Sequence, residues 1–156
     1  MDLAGKLSKK IKSRKAVVGI IGVGYVGNAL GEGAAKAGFK VIGYTRSAEK
    51  AKKINASKNF KYWATSNPKE IKKCDVIAIC VPTPIHEDKT PDLNPLNFAL
   101  DLTIKNLKKG ALIIIESTIA AGTTRNVALS NLKKKGLIPE QDFFLNVIRQ
   151  DEVREI

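Results

Sequence analysis

The sequence has few of the residues that most often carry chemistry. Its 156 positions include two cysteines, one histidine, one methionine and one tryptophan. Acidic side chains number only 15 against 27 lysines and arginines, a formal charge of +12. No apolar run approaches the roughly 20 residues that a membrane-spanning helix needs, so no membrane partner is expected. The basic opening, MDLAGKLSKKIKSRK, is followed by no apolar h-region, which argues against a secretory signal. Cys74 and Cys80 are spaced for neither a zinc pair nor a Cys-x-x-Cys redox motif. Both flank or lie in an apolar run and read as buried, reduced thiols of a cytoplasmic protein. His86 stands beside Glu87 and Asp88 in a proline-rich loop, and consecutive side chains diverge, so no metal site is expected. Nor has His86 an evident partner for acid–base work.

What the chain does have is the make-up of a soluble globular domain, 44% hydrophobic and 27% charged, at a length that supports one sizeable core. The net charge invites an acidic partner. Most lysines, however, fall in pairs and triplets at helix ends, where they suit the helix dipole. Only KLSKKIKSRK is concentrated, and residues 1–14 read as a basic arm. No aromatic-rich or helix-turn-helix pattern accompanies it, so nucleic acid is not the favoured partner.

Apolar runs alternate with helical patterns along the chain. AVVGII (16–21), KVIGY (40–44), DVIAICV (75–81), ALIIIEST (111–118) and DFFLNVI (142–148) read as strands, with weaker strand signal at FKYWAT. Between them, YVGNALGEGAAKAG reads as a helix closed by Gly38, SAEKAKKIN as a second, and PKEIKK as a short one capped by Asn67. LNFALDLTIKNLKKG reads as a helix closed by Gly110, and AAGTTRNVALSNLKKKG as a loop and helix. Uniformly apolar strands alternating with helices predict an α/β fold, a doubly wound parallel sheet in three layers and a single domain. PTPIHEDKTPDLNP, with four of the six prolines, is a long loop of the kind that usually has a function.

Gly22-x-Gly24-x-x-Gly27 lies between the first strand and the first following helix, where a dinucleotide-binding turn belongs. In such a turn Gly22 permits the bend, Gly24 lets a pyrophosphate approach the backbone, and Gly27 packs helix on strand. The competing reading is a purely structural tight turn. Gly31 and Gly33, costly inside a helix, imply close packing against the sheet or a cofactor. The second strand should end in an acid that holds the ribose hydroxyls of NAD. Thr45 stands there instead, followed by Arg46 and Ser47. Those residues suit the 2′-phosphate of NADP, or form a solvated turn in which Ser47 caps the next helix.

VGIIGVGYVG, CVPTPIHEDKTPDL and IIIESTIAAGTT together resemble the N-terminal domain of the UDP-glucose/GDP-mannose dehydrogenases, which oxidise the C6 alcohol of nucleotide sugars. The resemblance runs from about Lys15 to Leu145, and the Val-Pro-Thr-Pro and Glu-Ser-Thr motifs make it more specific than the glycines alone. It implies a Rossmann-type domain over residues 15–147, strand order 3-2-1-4-5-6, and NAD or NADP as cofactor. By matching positions, Tyr25 and Val26 would lie beside the pyrophosphate. Thr45 occupies the place of the ribose-binding aspartate, and Lys50 would contact the adenosine end. Val81, Pro82 and Thr83, with Glu116, Ser117 and Thr118, would approach the ribose and nicotinamide side.

The departures from the family pattern are specific. Ala120-Ala121 replace a Pro-Pro pair, and residues 148–156 diverge where a Ser-Pro-Glu segment is usual. The sugar-binding domain and its nucleophilic cysteine have no counterpart in this sequence, so no catalytic residue is assigned and the chain alone is expected to be inactive. A nucleotide sugar becomes a partner only if a second domain is supplied, and a homodimer is left open. Two readings compete with that of a dehydrogenase cofactor domain. One is a non-catalytic nucleotide-binding or interaction module. The other, resting on the basic arm alone, is a nucleic-acid-associated protein.

Overall fold

A computed structural model describes residues 2–116 and 123–147. Strands β1 (Val17–Ile21), β2 (Lys40–Tyr44), β3 (Trp63–Thr65), β4 (Val76–Ile79), β5 (Ala111–Ile115) and β6 (Phe143–Val147) pair in parallel, in the order β3-β2-β1-β4-β5-β6. Helices α1 (Leu3–Lys12), α2 (Tyr25–Lys36), α3 (Ala48–Ala56), α4 (Asn94–Lys105) and α5 (Thr123–Lys134) connect or cover them. The expected three-layer, doubly wound α/β fold is present.

The strands read as uniformly apolar because both faces of the sheet are covered. Successive side chains go to opposite faces. In β4, Ile77 and Ile79 join Leu96 and Leu100 of α4, Leu132 of α5 and Phe143 of β6. Val76 and Ala78 join Val18 and Ile20 of β1 and Ile54 of α3, with Leu30 of α2 packed against that layer. Cys74 fills a packing role: a Cβ at Gly19 of β1 would sit 2.7 Å from its Sγ.

Strand and helix ends differ from the sequence expectations for local reasons. β4 stops at Ile79 because the chain leaves the ladder after the Cys80 N–H bonds Ile21 O at 2.8 Å, and Pro82 has no N–H to offer. PKEIKK is a 3₁₀ segment, not an α-helix, with the Asn67 side chain accepting from Lys69 N at 3.1 Å. α4 begins at Asn94, with Pro95 in its first turn, and ends at Lys105, not at Gly110. Gly110 instead adopts φ +78° just before β5, its N–H bonding Asp142 O at 2.7 Å.

The basic arm is helix α1. The Asp2 side chain caps it by accepting from Gly5 N at 2.7 Å, and Leu7 and Ile11 pack against the core. Leu3 lies against Gly110, where a Cβ would meet its Cδ2 at 3.1 Å. Lys10 reaches Asp75, which is only 7% exposed, at 2.8 Å, and Lys108 donates to the same Oδ1 at 2.7 Å. The other oxygen accepts from Val17 N at 3.0 Å, while the Asp75 backbone bonds Val17 O and Leu112 N. Through its carboxylate Asp75 thus ties α1, β1 and the α4–β5 turn, and through its backbone it ties β1 and β5, at the amino edge of the sheet.

Burial alone would push the Asp75 carboxyl up, but the bonds from Lys10, Lys108 and Val17 N–H hold it below its ordinary range. A carboxyl depressed in the folded state stabilises fully above its unfolded pKa of about 4 and loses that contribution as pH falls through the folded value. Asp75→Asn should therefore lower stability by about 1–3 kcal/mol at neutral pH. It should also flatten the acid limb of the melting temperature against pH, as thermal denaturation from pH 7 to pH 2 will show. Parallel acid limbs in variant and wild type would contradict the clasp.

Candidate functional site

Strand order reverses at β1, whose neighbours are β2 and β4, and ligands of open α/β sheets bind outside the carboxyl ends of strands at such a reversal. A groove of about 780 Å³ opens there. Its floor is Ile21, Gly22, Tyr44 and Cys80. One wall is the β2–α3 corner, Thr45, Arg46, Ser47 and Lys50; the other is Val81 and Pro82 with Asp92, Asn94, Pro95 and Phe98 at the start of α4.

The three glycines of the turn do different work. Gly22 has φ +96°, and a Cβ on it would lie 2.5 Å from Cys80 O. Gly27 is buried, and its Cβ would fall 1.9 Å from Gly22 O. Both are required by the fold itself. Gly24 is not: its φ is −89°, and a Cβ there would meet nothing within 4 Å. The space in front of it belongs to the groove. Gly24 is also the N-cap of α2 and provides no side-chain cap, so the first-turn amides are left to other partners. By contrast Asp2, Ser47 and Asn67 each cap their segments with a side chain. Open room at Gly24 beside uncapped amides fits the pyrophosphate of a dinucleotide. The residues present therefore fit such a cofactor.

Tyr25 and Val26 stand exposed in the first turn of α2, Tyr25 at 93%. The N–H of Thr45 bonds Thr65 O at 3.0 Å, which holds the corner on the end of β3, and the Ser47 hydroxyl caps α3 by accepting from Lys50 N at 3.1 Å. The Arg46 guanidinium lies 5.3 Å from the ring centroid of Phe98 on the facing wall. Burial pushes the Tyr44 hydroxyl up, and the nearby Arg46 charge works against that rise. Thr83 sits half-buried beyond the lined groove, and Glu116 directly follows β5, its N–H bonding Ile79 O at 3.0 Å. Ser117 and Thr118 lie outside the described residues.

Tyr44, Asp92, Asn94, Pro95 and Phe98, with Ile21, Val23 and Cys80, are the groove residues that sequence reasoning missed. The proline loop was the available signal, because it carries the chain from β4 back to the start of α4. Gly31 owes its place to neither sheet nor cofactor: a Cβ would press at 3.1 Å on the ring of Tyr62, whose hydroxyl donates to Asn28. Gly33 faces open space. Cys74 and Cys80 are buried and unpaired, and burial first, then nearby acidic charge, pushes both thiols up to about 12. Among the described residues no three His, Cys, Asp or Glu side chains gather as a metal would need, and no helix is long and apolar enough to cross a membrane.

Residues 57–152 match the model of the UDP-glucose/GDP-mannose dehydrogenase family, NAD binding domain. UDP-N-acetyl-D-glucosamine 6-dehydrogenase of Pseudomonas aeruginosa is 36% identical over 144 residues, covering 81% of this chain and 33% of its own length. UDP-N-acetyl-D-mannosamine dehydrogenase of Pyrococcus horikoshii is 33% identical over 147 residues, covering 82% of this chain and 34% of its own. The solved structure of a UDP-D-ManNAc dehydrogenase from Pyrococcus horikoshii superposes with a TM-score of 0.77 at 30% identity, over 86% of this chain and 36% of that one. The chain thus spans about a third of the length of these relatives.

The glycines give a sharp stability test. Gly27→Ala should cost at least about 3 kcal/mol, because backbone must move where overpacking meets a carbonyl. Gly24→Ala should cost no more than about 1 kcal/mol, the difference between these residues at an N-cap. Urea unfolding of both variants checks the ranking.

Proposed function

Because the chain belongs to the UDP-glucose/GDP-mannose dehydrogenase family and is an NAD-binding domain of that family, we propose that its groove holds the dinucleotide with the pyrophosphate against Gly24 and the first turn of α2. The unfilled space at Gly24, which no packing demand explains, carries this reading. Gly22 and Gly27 shape the loop, and the backbone N–H groups of Tyr25 and Val26 meet the anion. Thr45, Arg46, Ser47 and Lys50 surround the adenosine ribose. Val81, Pro82 and Thr83, with Glu116, Ser117 and Thr118, flank the nicotinamide half. When bound, the cofactor supplies the hydride acceptor; the protein's residues bind and orient it.

The named relatives act on UDP-N-acetylhexosamines, and we assign this chain to the oxidation of a nucleotide sugar of that class, as the cofactor-holding part. Oxidation of an alcohol through to a carboxylate calls for an activated thiolate. Cys74 and Cys80, both buried with thiols pushed up to about 12, do not offer one. That observation favours cofactor binding without turnover for the polypeptide on its own. Two buried reduced thiols also suit the cytoplasm.

Titration calorimetry with NAD and NADP tests the site. Gly24→Val places a branched side chain in the open space and should weaken dinucleotide binding by about 100-fold or more, the scale of a lost charge-assisted contact set. Its melting temperature should stay near that of the wild type. Unchanged affinity would reduce the turn to a structural one. The 156-residue protein, supplied with dinucleotide and UDP-N-acetylglucosamine, UDP-N-acetylmannosamine, UDP-glucose or GDP-mannose, should produce no reduced cofactor by absorbance. Sustained production abolished by Cys80→Ser would overturn the inactive-thiol argument.

A further inference from the structure

We infer that the β2–α3 corner of the groove selects the 2′-phosphorylated dinucleotide, NADP, over NAD. The inference rests on the dinucleotide reading above and concerns only its adenosine end. Dinucleotide folds that take NAD place a carboxylate at the end of the second strand, where it accepts from the ribose hydroxyls. Here β2 ends at Tyr44 and delivers Thr45, a half-buried neutral hydroxyl. No nearby acid substitutes for it. Glu49 is drawn along α3 by Lys53 at 2.7 Å. Asp92, the carboxylate that lines the groove, belongs to the opposite wall and accepts from Asn94 N at 2.9 Å, at the start of α4. Ser47 uses its hydroxyl as the cap of α3.

The corner therefore presents Arg46 and Lys50, two cations that form no ion pair among the described residues, the neighbouring Glu49 being paired with Lys53. A bare ribose hydroxyl loses the carboxylate partner it has in NAD-specific sites. A 2′-phosphate meets no repelling acid and gains a planar guanidinium whose donors match its oxygens in pairs. Phe98 adds an independent observation. It is a large apolar side chain left 44% exposed on the α4 wall, and the Arg46 guanidinium rests on its face at 5.3 Å. That contact places the cation against the facing wall of the groove that both residues line. Resting a guanidinium on a partly exposed ring is a weak attraction, readily exchanged for a bidentate phosphate contact.

The experiment is calorimetry on the full chain with four probes: NADP, NAD, adenosine 2′,5′-bisphosphate and 5′-AMP. NADP should bind about tenfold or more tighter than NAD, the value of one charged hydrogen-bonded contact. The bisphosphate should exceed 5′-AMP in the same sense. Arg46→Ala should bring the NADP-to-NAD ratio close to one by weakening NADP much more than NAD. Thr45→Asp should reverse the preference by restoring an acceptor for the hydroxyls and repelling the phosphate. Both side chains lie outside the core, so melting temperatures should stay within a few degrees of the wild type, as for surface substitutions generally. NAD binding as tightly as NADP or tighter, or an Arg46→Ala variant weakened equally toward both, overturns the preference and leaves the dinucleotide site standing. Binding of none of the four probes overturns both.

Discussion

The closest constraint in the molecule is the approach of α2 to the end of β1. No side chain fits between them, since a Cβ at Gly27 would come within 1.9 Å of Gly22 O. Two bare backbones let the helix begin directly at the strand's carboxyl end. The groove follows from that placement. The helix start is aimed at the crevice between β2 and β4, its first amides are uncapped, and the space before Gly24 stays open. A larger residue at either packed glycine would push α2 away from the sheet and separate the amides from the rest of the groove.

The sheet works differently at its two edges. At the amino edge Asp75 gathers Lys10, Lys108 and the Val17 N–H, all bonded at 3.0 Å or less. At the carboxyl edge the groove corner is exposed, and Arg46 and Lys50 contribute nothing to the buried core. The Asp75 ties and the exposed Arg46 and Lys50 are therefore separate sets of residues, and substitution at Arg46 leaves the amino-edge ties as they are.

How much of this was legible in the sequence follows from the range of each interaction. The strands were, because burial on both faces leaves unbroken apolar runs such as VVGII and ALIII. The role of Gly27 was also readable, since its partner Gly22 lies five residues away, whereas the Cys80 carbonyl that crowds Gly22 lies far along the chain. Ends were harder. Gly110 looked like a helix stop, yet its left-handed conformation serves the turn into β5 and the approach of Leu3, a partner more than a hundred positions away. Helix α1 looked like a basic arm because its anchors, Asp75 for Lys10 and Gly110 for Leu3, lie far along the chain. Within the groove, Thr45 to Lys50 and Val81–Pro82 were found from motifs at strand ends. Phe98 and Asp92 were not, because only the folded return of the proline loop brings them opposite β2.

The position of β1 in the middle of the sheet also dictates an order of assembly. Its first neighbour, β2, follows closely, and β3 adds to that pair. Its other edge is bare until β4 exists, with residues 58 positions apart meeting at Val17 and Asp75. Non-local parallel pairing of this kind is slow to form. During synthesis the three-strand half must wait with an apolar edge unpaired, a state prone to wrong partners. Helix α1 waits longer still. It is made before the sheet, but its Lys10 has no carboxylate until residue 75 is made, and its Leu3 has no turn to rest on until residue 110. A helix made ahead of the sheet is thus among the last elements to find its place.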